Sequence, residues 1–458
     1  MKEYDVIVIG SGSGMNIADE ALGHGLSVAL VDKGPLGGTC PNLGCIPSKM
    51  LIFAADRIAE IHEAKKLGIE TEISKIDFGF IMERMRKSLN ENQAQMRNNL
   101  SHIKELDFFE GEGHFTDEYT IEVKGEKIKG DKIFIASGSR PMIPPIKGLD
   151  SVDYLTNETL LQLKEKLESL TIIGGGYIAV EYGHFFAAMG TRVTILEMAD
   201  RLVLAEEPEI SELLKKELSQ RMDIYTGVQA EAVKNNGHDA TVVVNDLKSG
   251  GQKEFTAQRI LVAVGRRSNA DLLKVENTGV EVDKRGYIKV DEYLETTRKN
   301  IFAVGDANGQ QMFTHVANRE SMLAASNAIH SSKLKMDYNA APHAVYSHPQ
   351  IASVGLTEEN ARKSHKIMVG KAKYGDVAQG EAMMEENGFA KAIVQADTTK
   401  ILGFHIIGPY APILIQEVID AMASGGGIDQ IQAGMHIHPS ISELIPAVLS
   451  RLEEPQAI

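Results

Sequence analysis

Cys40 and Cys45 are the only cysteines in the chain, and they stand five positions apart in Gly37-Gly38-Thr39-Cys40-Pro41-Asn42-Leu43-Gly44-Cys45-Ile46-Pro47-Ser48-Lys49. Pro47 suits the first residue of a helix, which puts Cys45 near a helix N-terminus, where the positive end of the dipole favours thiolate over thiol. A thiolate attacks disulfides and exchanges electrons. Three readings compete: two small buried side chains, a metal site and a redox pair. Chance pairing within five positions of so long a chain counts against the first. No His lies within ten residues of either sulfur, and two thiols alone do not close a zinc site, so no metal is expected. The far end of the chain offers a base for the redox reading, in His436-Ile-His438-Pro-Ser-Ile-Ser-Glu443. Imidazole accepts a proton near neutral pH, and a carboxylate beside it fixes its tautomer. Taken alone, such a pair reads as structural. In a chain with a dithiol, His438 reads as the base and Glu443 as its orienter, with His436 a neighbour of no assigned role.

Two glycine-rich turns are placed to position a redox centre. The first, Gly10-Ser-Gly12-Ser-Gly14, follows an apolar run at Tyr4 to Ile9 and opens a helix, and Asp32 stands 22 positions after Gly10 at the end of the next strand. Glycines let backbone amides approach a pyrophosphate at a helix N-terminus, and the acid takes ribose hydroxyls. Position 15, where a third glycine is usual, is Met15. Either Gly14 substitutes for it or the helix stands further from the strand. The second turn, Gly174-x-Gly176-x-x-Ala179, has Glu197 placed 23 positions after Gly174. Two fingerprints with correctly spaced acids imply two bound dinucleotides. Glu197 favours the free ribose hydroxyl of NAD over the phosphate of NADP, although Arg201 stands close by.

The 458 residues carry 48 basic and 63 acidic side chains, a net charge of −15, with 43% hydrophobic residues. That balance suits a multidomain globular protein and argues against non-specific nucleic-acid binding. No apolar run has the length of a membrane span, and the N-terminus lacks the pattern of a signal peptide, so a cytoplasmic protein is expected. A long amphipathic helix is predicted from about Phe80 to Ile103, and strand-like runs at Lys132 to Ala136, Arg259 to Val264 and Ile301 to Val304. The prolines at 141 to 145 read as an inter-domain crossing. From about Asn339 the pattern changes to strands near Ile351 and Lys391 and helices near Pro412 to Ala423 and Ser442 to Leu452. The expected fold is α/β, with two Rossmann-like dinucleotide-binding domains and an α+β C-terminal domain. Residues 1–145 and 269–338 form the first nucleotide domain with its central continuation, 146–268 the second, and 339–458 a dimerisation domain.

The segment GGTCPNLGCIPSK resembles the redox-active disulfide motif of the flavoprotein pyridine nucleotide–disulfide oxidoreductases, and the resemblance runs over nearly the whole chain. IASGSRP at Ile135 to Pro141 resembles a further FAD loop, VAVGRRSN at Val262 to Asn269 the strand leaving the NAD domain, and IFAVGDANG with Asp306 the second FAD fingerprint. The resemblance implies FAD held by Gly10, Gly12, Gly14, Asp32, Lys33, Gly38, Thr39, Lys49, Gly113, Ser137, Gly138, Asp306, Met312, Phe313, Thr314 and His315. It implies NAD held by Gly174, Gly176, Tyr177, Ile178, Glu181, Glu197, Val228 and Gly265, with Tyr177 as a gate over the nicotinamide. By position Cys45 would be the flavin-proximal thiol and Cys40 the one exchanging with substrate, while Lys49 pairs with Glu181 beside the flavin. His438 and Glu443 would act in the partner subunit, which implies an obligate homodimer. Met198 and Leu204 stand where NADPH-using relatives carry arginines, and with Glu197 they point to NAD and to the dihydrolipoamide dehydrogenase branch. Met15, SNADLL at Ser268 to Leu273, HVANRE at His315 to Glu320 and YGDVAQG at Tyr374 to Gly380 are closer to mycothione reductase. The expected reaction is oxidation of dihydrolipoamide by NAD, free or on a lipoyl domain. The alternative is NAD(P)H-dependent reduction of a low-molecular-weight thiol disulfide.

Overall fold

Apolar residues run uninterrupted through Val6 to Ile9 of the first strand, Lys2–Ile9, and Val28 to Val31 of the second, Val28–Asp32, without a polar alternation. Such runs need cover on both faces. A computed structural model describes residues 1–454 and supplies that cover: Val6, Val8, Val28, Leu30 and Phe134 pack on one face of the sheet, and Ile7, Ile9, Ala29, Val31, Ile133 and Ile135 on the other. The alternation is the strand's two-residue period. The chain divides into two compact units, one of residues 1–48, 82–143 and 265–336, the other of 49–81, 144–264 and 337–458.

In the first unit the sheet runs in the order Leu106–Glu110, Val28–Asp32, Lys2–Ile9, Glu126–Ile135, Thr120–Val123, Gly113–Asp117. The strand Glu126–Ile135 is longer than Lys132 to Ala136 because its two halves have different partners. Its start pairs antiparallel with Thr120–Val123, and its end pairs parallel with Ile301–Ala303. The carboxyl ends of the parallel strands therefore converge, and each continues into a segment singled out above: Gly10, Asp32, Ser137 and Asp306. Helix Gly14–Gly23 buries Ile17, Ala18 and Ala21 along one stripe.

In the second unit a parallel sheet, in the order Asp223–Thr226, Arg192–Glu197, Ser169–Ile173, Arg259–Val262, carries the second fingerprint. An antiparallel meander of Val228–Asn235, Ala240–Asp246 and Gln252–Ala257 accompanies it. The C-terminal part is a five-stranded antiparallel sheet in the order Pro342–Val345, Ile351–Gly355, Ile401–Ile407, Phe389–Gln395, Ile367–Lys373. Helices Gln416–Ala423 and Leu444–Leu449 pack on it around Phe404, Tyr374, Val394 and Val448. The last of these helices is shorter than the sequence pattern suggests, because a separate turn at Ile441–Glu443 precedes it.

Candidate functional site

At the first fingerprint, Gly10 has φ +104 and lies so close to the neighbouring strand that a Cβ there would stand 2.2 Å from the Ala136 carbonyl oxygen. Gly14 resolves the question left by Met15. A Cβ on Gly14 would stand 2.7 Å from Val8 Cγ1, so Gly14 is the residue that lets the helix close on the strand. Met15 is half-buried and packs into the core beside it. The Asp32 carboxylate accepts from the Ser11 amide and hydroxyl at 2.6 and 2.5 Å and from the Gly34 amide at 2.7 Å. Ser11 Oγ also accepts from the Gly37 amide at 2.9 Å, so the cysteine loop is tied directly to the fingerprint turn. Asn42 and Gln93 complete that loop's brace: Asn42 donates to the carbonyls of Leu36 and Gly38 at 2.8 and 2.7 Å, and Gln93 to Asn42 Oδ1 at 2.7 Å. Neither was distinguishable in the sequence from an ordinary polar residue.

Asp306 accepts from Ser139 Oγ at 2.5 Å, and Arg266 Nε donates to the same Ser139 Oγ at 2.7 Å. The buried Glu320 accepts from the Gly305 amide at 2.6 Å and from Asn308 at 3.0 Å, shaping the turn around Asp306. The Ser137 hydroxyl is buried with no hydrogen-bond partner among the described residues. A glycine cradle, two carboxylates and an unpartnered hydroxyl at the carboxyl ends of parallel strands fit a dinucleotide with a pyrophosphate and ribose hydroxyls. Lys33 is exposed and pairs with Glu112 at 3.1 Å, and Gly113 is buried at the start of its strand. Gly138 (φ +66) has open space where a Cβ would point. Met312 sulfur accepts from the Tyr287 hydroxyl at 3.7 Å, and the rings of Phe313 and His315 stack at 5.7 Å.

Cys40 lies on a short helix, Thr39–Leu43, that starts after Gly38. Cys45 is itself the first residue of helix Cys45–Glu63, so Pro47 is the third residue, and the thiol sits at the dipole's positive end. Cys45 is exposed and Cys40 half-buried, and the two sulfurs are not joined in a disulfide. The hydrogen bond to Cys45 and then burial push the Cys40 thiol well above its ordinary range. Cys45 Sγ lies 3.6 Å from Thr314 Oγ1, at the start of helix Thr314–His330.

In the second unit Gly174 (φ +113) comes as close to Ala263 as Gly10 does to Ala136, and Gly176 precedes helix Tyr177–Ala188 with open space above it. Ala179 is buried, Ile178 half-buried and Val228 buried, while Tyr177 stands exposed at the helix start. Glu197 accepts from the Ala199 amide at 2.6 Å. Gly265 belongs to the first unit, where its carbonyl accepts from the Met142 amide. Lys49 Nζ donates to Glu181 Oε2 at 2.7 Å, and Glu181 Oε1 accepts from the Tyr346 amide at 2.9 Å. The Tyr346 ring lies 4.6 Å from the same ammonium. Tyr346 was not singled out in the sequence.

His438 Nδ1 lies 2.8 Å from Glu443 Oε1. A carboxylate accepts, so Nδ1 carries the hydrogen and Nε2 presents its lone pair. The Ser440 amide and then His438 hold Glu443 below the usual carboxylate range. His436 has a partner of its own, Glu417 at 3.1 Å.

Residues 4–321 match the family described as pyridine nucleotide-disulphide oxidoreductase, and residues 341–448 match that family's dimerisation domain. Mercuric reductase of Staphylococcus aureus is 33% identical over 432 residues, 94% of this chain and 79% of the relative. Mycothione reductase of Mycobacterium tuberculosis (strain ATCC 25618 / H37Rv) is 33% identical over 462 residues, 98% and 99% of the two chains. Dihydrolipoyl dehydrogenase of Bacillus subtilis (strain 168) is 32% identical over 459 residues, 97% and 96%. Among solved structures, the Cu(II) complex of the HOCl-induced flavoprotein disulfide reductase RclA from Escherichia coli superposes with a TM-score of 0.87 at 28% identity, covering 98% and 99% of the two chains.

Proposed function

The chain belongs to the pyridine nucleotide–disulphide oxidoreductases, and within that family we propose that it is an NAD-linked enzyme of the dihydrolipoyl dehydrogenase kind. The family works with FAD and NAD(P)H, and the matched dimerisation domain supports a homodimer. When bound, the flavin supplies a two-electron relay between the nicotinamide and the cysteine pair. Gly10, Gly12, Gly14, Asp32, Ser137 and Asp306 would hold it, and Gly174, Gly176 and Glu197 would hold the nicotinamide dinucleotide. Lys49, held in place by Glu181, is assigned as the cation that would answer negative charge arising on reduction.

The observation that carries this reading is the asymmetry of the cysteines: Cys40 is half-buried on its short helix, and Cys45 is exposed and starts a long one. With the pair as a disulfide, a substrate thiolate attacks Cys40 sulfur. The S–S bond breaks, and Cys45 leaves as thiolate at the helix start, where the dipole stabilises it. The second substrate thiol then attacks the mixed disulfide, releasing the substrate as disulfide and Cys40 as thiol. Of the two substrate protons, one ends on Cys40 and the other passes to Nε2 of a His438, whose tautomer leaves that nitrogen free to accept it.

Glu197 with Met198 and Leu204, exposed and uncharged, supports NAD. A second reading, an NAD(P)H reductase of a low-molecular-weight thiol disulfide, is favoured by Arg201, whose buried Nε has no partner among the described residues, and by the full-length likeness to mycothione reductase. Turnover of NAD with dihydrolipoamide, set against NADPH with a panel of thiol disulfides, separates the two. Absence of lipoamide activity sinks the first reading.

A further inference from the structure

Three residues on from Glu181 and two helical turns on from Lys49 stands a second set of linked titratable side chains that the chemistry above leaves unused. His184 is fully buried, with Nε2 2.9 Å from Asp56 Oδ1 and Nδ1 3.1 Å from Arg221 Nη1. Arginine only donates, so Nδ1 accepts, and Nε2 therefore carries the hydrogen and donates to Asp56. Both ring nitrogens are satisfied in the neutral form. Burial above all pushes the imidazole down to about 4, so it remains neutral under physiological conditions. The other Arg221 nitrogen donates to the His348 carbonyl. The His348 ring stacks on His184 at 5.7 Å, and its Nε2 lies 2.5 Å from Glu63 Oε1.

The same three segments are thus pinned twice. Helix Cys45–Glu63, helix Tyr177–Ala188 and the stretch from Tyr346 to His348 meet once through Lys49, Glu181 and Tyr346. They meet again through Asp56, His184, His348 and Glu63. Lysine has a long flexible stem, so its approach to Glu181 depends on how the helix beneath it is turned. A brace two turns away fixes that rotation. Resting on the reading of Lys49 and Glu181 as reaction-site residues, we propose that His184 is a positioning residue, which bridges Asp56 and Arg221 so that Lys49 is held against Glu181.

The test uses His184→Leu and His184→Gln in the flavin-loaded enzyme. A glutamine amide keeps a donor nitrogen and an acceptor oxygen to stand for the two ring nitrogens, whereas leucine offers neither. His184→Leu is expected to speed amide hydrogen exchange in residues 49–63 and to slow flavin reduction by NADH by about tenfold to a hundredfold at unchanged NADH affinity, the penalty of misplacing a group by about 1 Å. His184→Gln is expected to restore both. Wild-type exchange and reduction in His184→Leu, or a glutamine variant as defective as leucine, overturns the proposal. If His184→Leu does not fold, Asp56→Asn serves, with the same shifts at smaller size; wild-type behaviour there overturns it equally. Lys49→Met separates the two levels. If flavin reduction is unchanged in Lys49→Met, the underlying reading fails; if it slows there but not in His184→Leu, the brace alone fails.

Discussion

Gly10 and Gly138 sit in the same cradle, both at positive φ, yet alanine should cost very different amounts at the two positions. At Gly10 the new Cβ would stand 2.2 Å from the Ala136 carbonyl oxygen and 2.8 Å from its carbon; at Gly138 nothing lies within 4 Å. The left-handed backbone alone costs about 1–2 kcal/mol for a residue with a Cβ. Gly138→Ala should lose that and no more in the flavin-free protein. Gly10→Ala must also drive Ala136 back by about 1 Å, an overpacking cost of about 1–3 kcal/mol. Ala136 is not free to yield, because its amide donates to the Ile9 carbonyl at 2.8 Å in the strand ladder. The total for Gly10→Ala is then about 2–5 kcal/mol. At about 2–4 °C per kcal/mol for a unit of this size, the melting temperature falls by about 4–20 °C for Gly10→Ala and about 2–8 °C for Gly138→Ala. The chain has no tryptophan, so far-UV circular dichroism of the flavin-free proteins is the measurement. Flavin affinity should fall in both variants, since the open space at Gly138 is where a bound group would approach the backbone. Equal melting losses in the two variants, or a Gly10→Ala protein that melts with the wild type, would refute the close-approach argument.

Cys45→Ser should abolish the long-wavelength thiolate–flavin absorbance in an anaerobic NADH titration, while Cys40→Ser keeps it and loses substrate turnover; a band surviving in Cys45→Ser reverses the assigned roles. His438→Gln should slow thiol exchange while sparing flavin reduction by NADH, as separated by stopped-flow half-reactions, and equal loss in both halves counts against the base. Lys391→Met should destabilise the protein by about 3–5 kcal/mol in chemical denaturation, because Glu207, 2.8 Å from that ammonium and equally buried, would lose its countercharge. Glu63 is held at about 2, chiefly by its hydrogen bond to His348. Its stabilisation is therefore present above the ordinary carboxylate range near 4.3 and lost as pH falls towards 2. Because the side chain is more than a third exposed, the effect is under about 1 kcal/mol, and Glu63→Gln should flatten the acid limb of the melting curve by that amount.

Spacing along the chain made the reaction-site candidates readable, because each motif is local. Gly10 to Gly14, Gly174 to Ala179, Cys40 to Cys45 and His438 to Glu443 each bring their partners together within one turn or loop, so residue type and separation carry the geometry. The local reading erred where it depended on where a helix begins. Pro47 is compatible with the first turn at more than one position, and the helix starts two residues earlier, at Cys45. That shift strengthens the thiolate argument, since the dipole acts most strongly within the first turn.

The parts that escaped the sequence are those whose partners lie far apart. Asp56 and His184 are 128 residues apart, and Glu63 and His348 are 285 apart. Each is an unremarkable polar residue on an otherwise apolar helix face or in a loop. What betrays them physically is the helix around His184. Tyr177–Ala188 is buried from Ala179 to Phe186, and a helix buried on all sides admits a histidine only if both nitrogens find partners. The tautomer then follows from the partners, and so does the direction of the brace. Glu181 on the same helix obeys the same rule: a carboxylate at 3% exposure requires a cation and donors, supplied by Lys49 and the Tyr346 amide. Family resemblance had already coupled Lys49 to Glu181. Burial arithmetic on that one helix reaches the same pair independently and adds His184, which makes the His184→Gln and His184→Leu comparison a test of whether a satisfied core histidine is a spectator or part of how the charged pair is held.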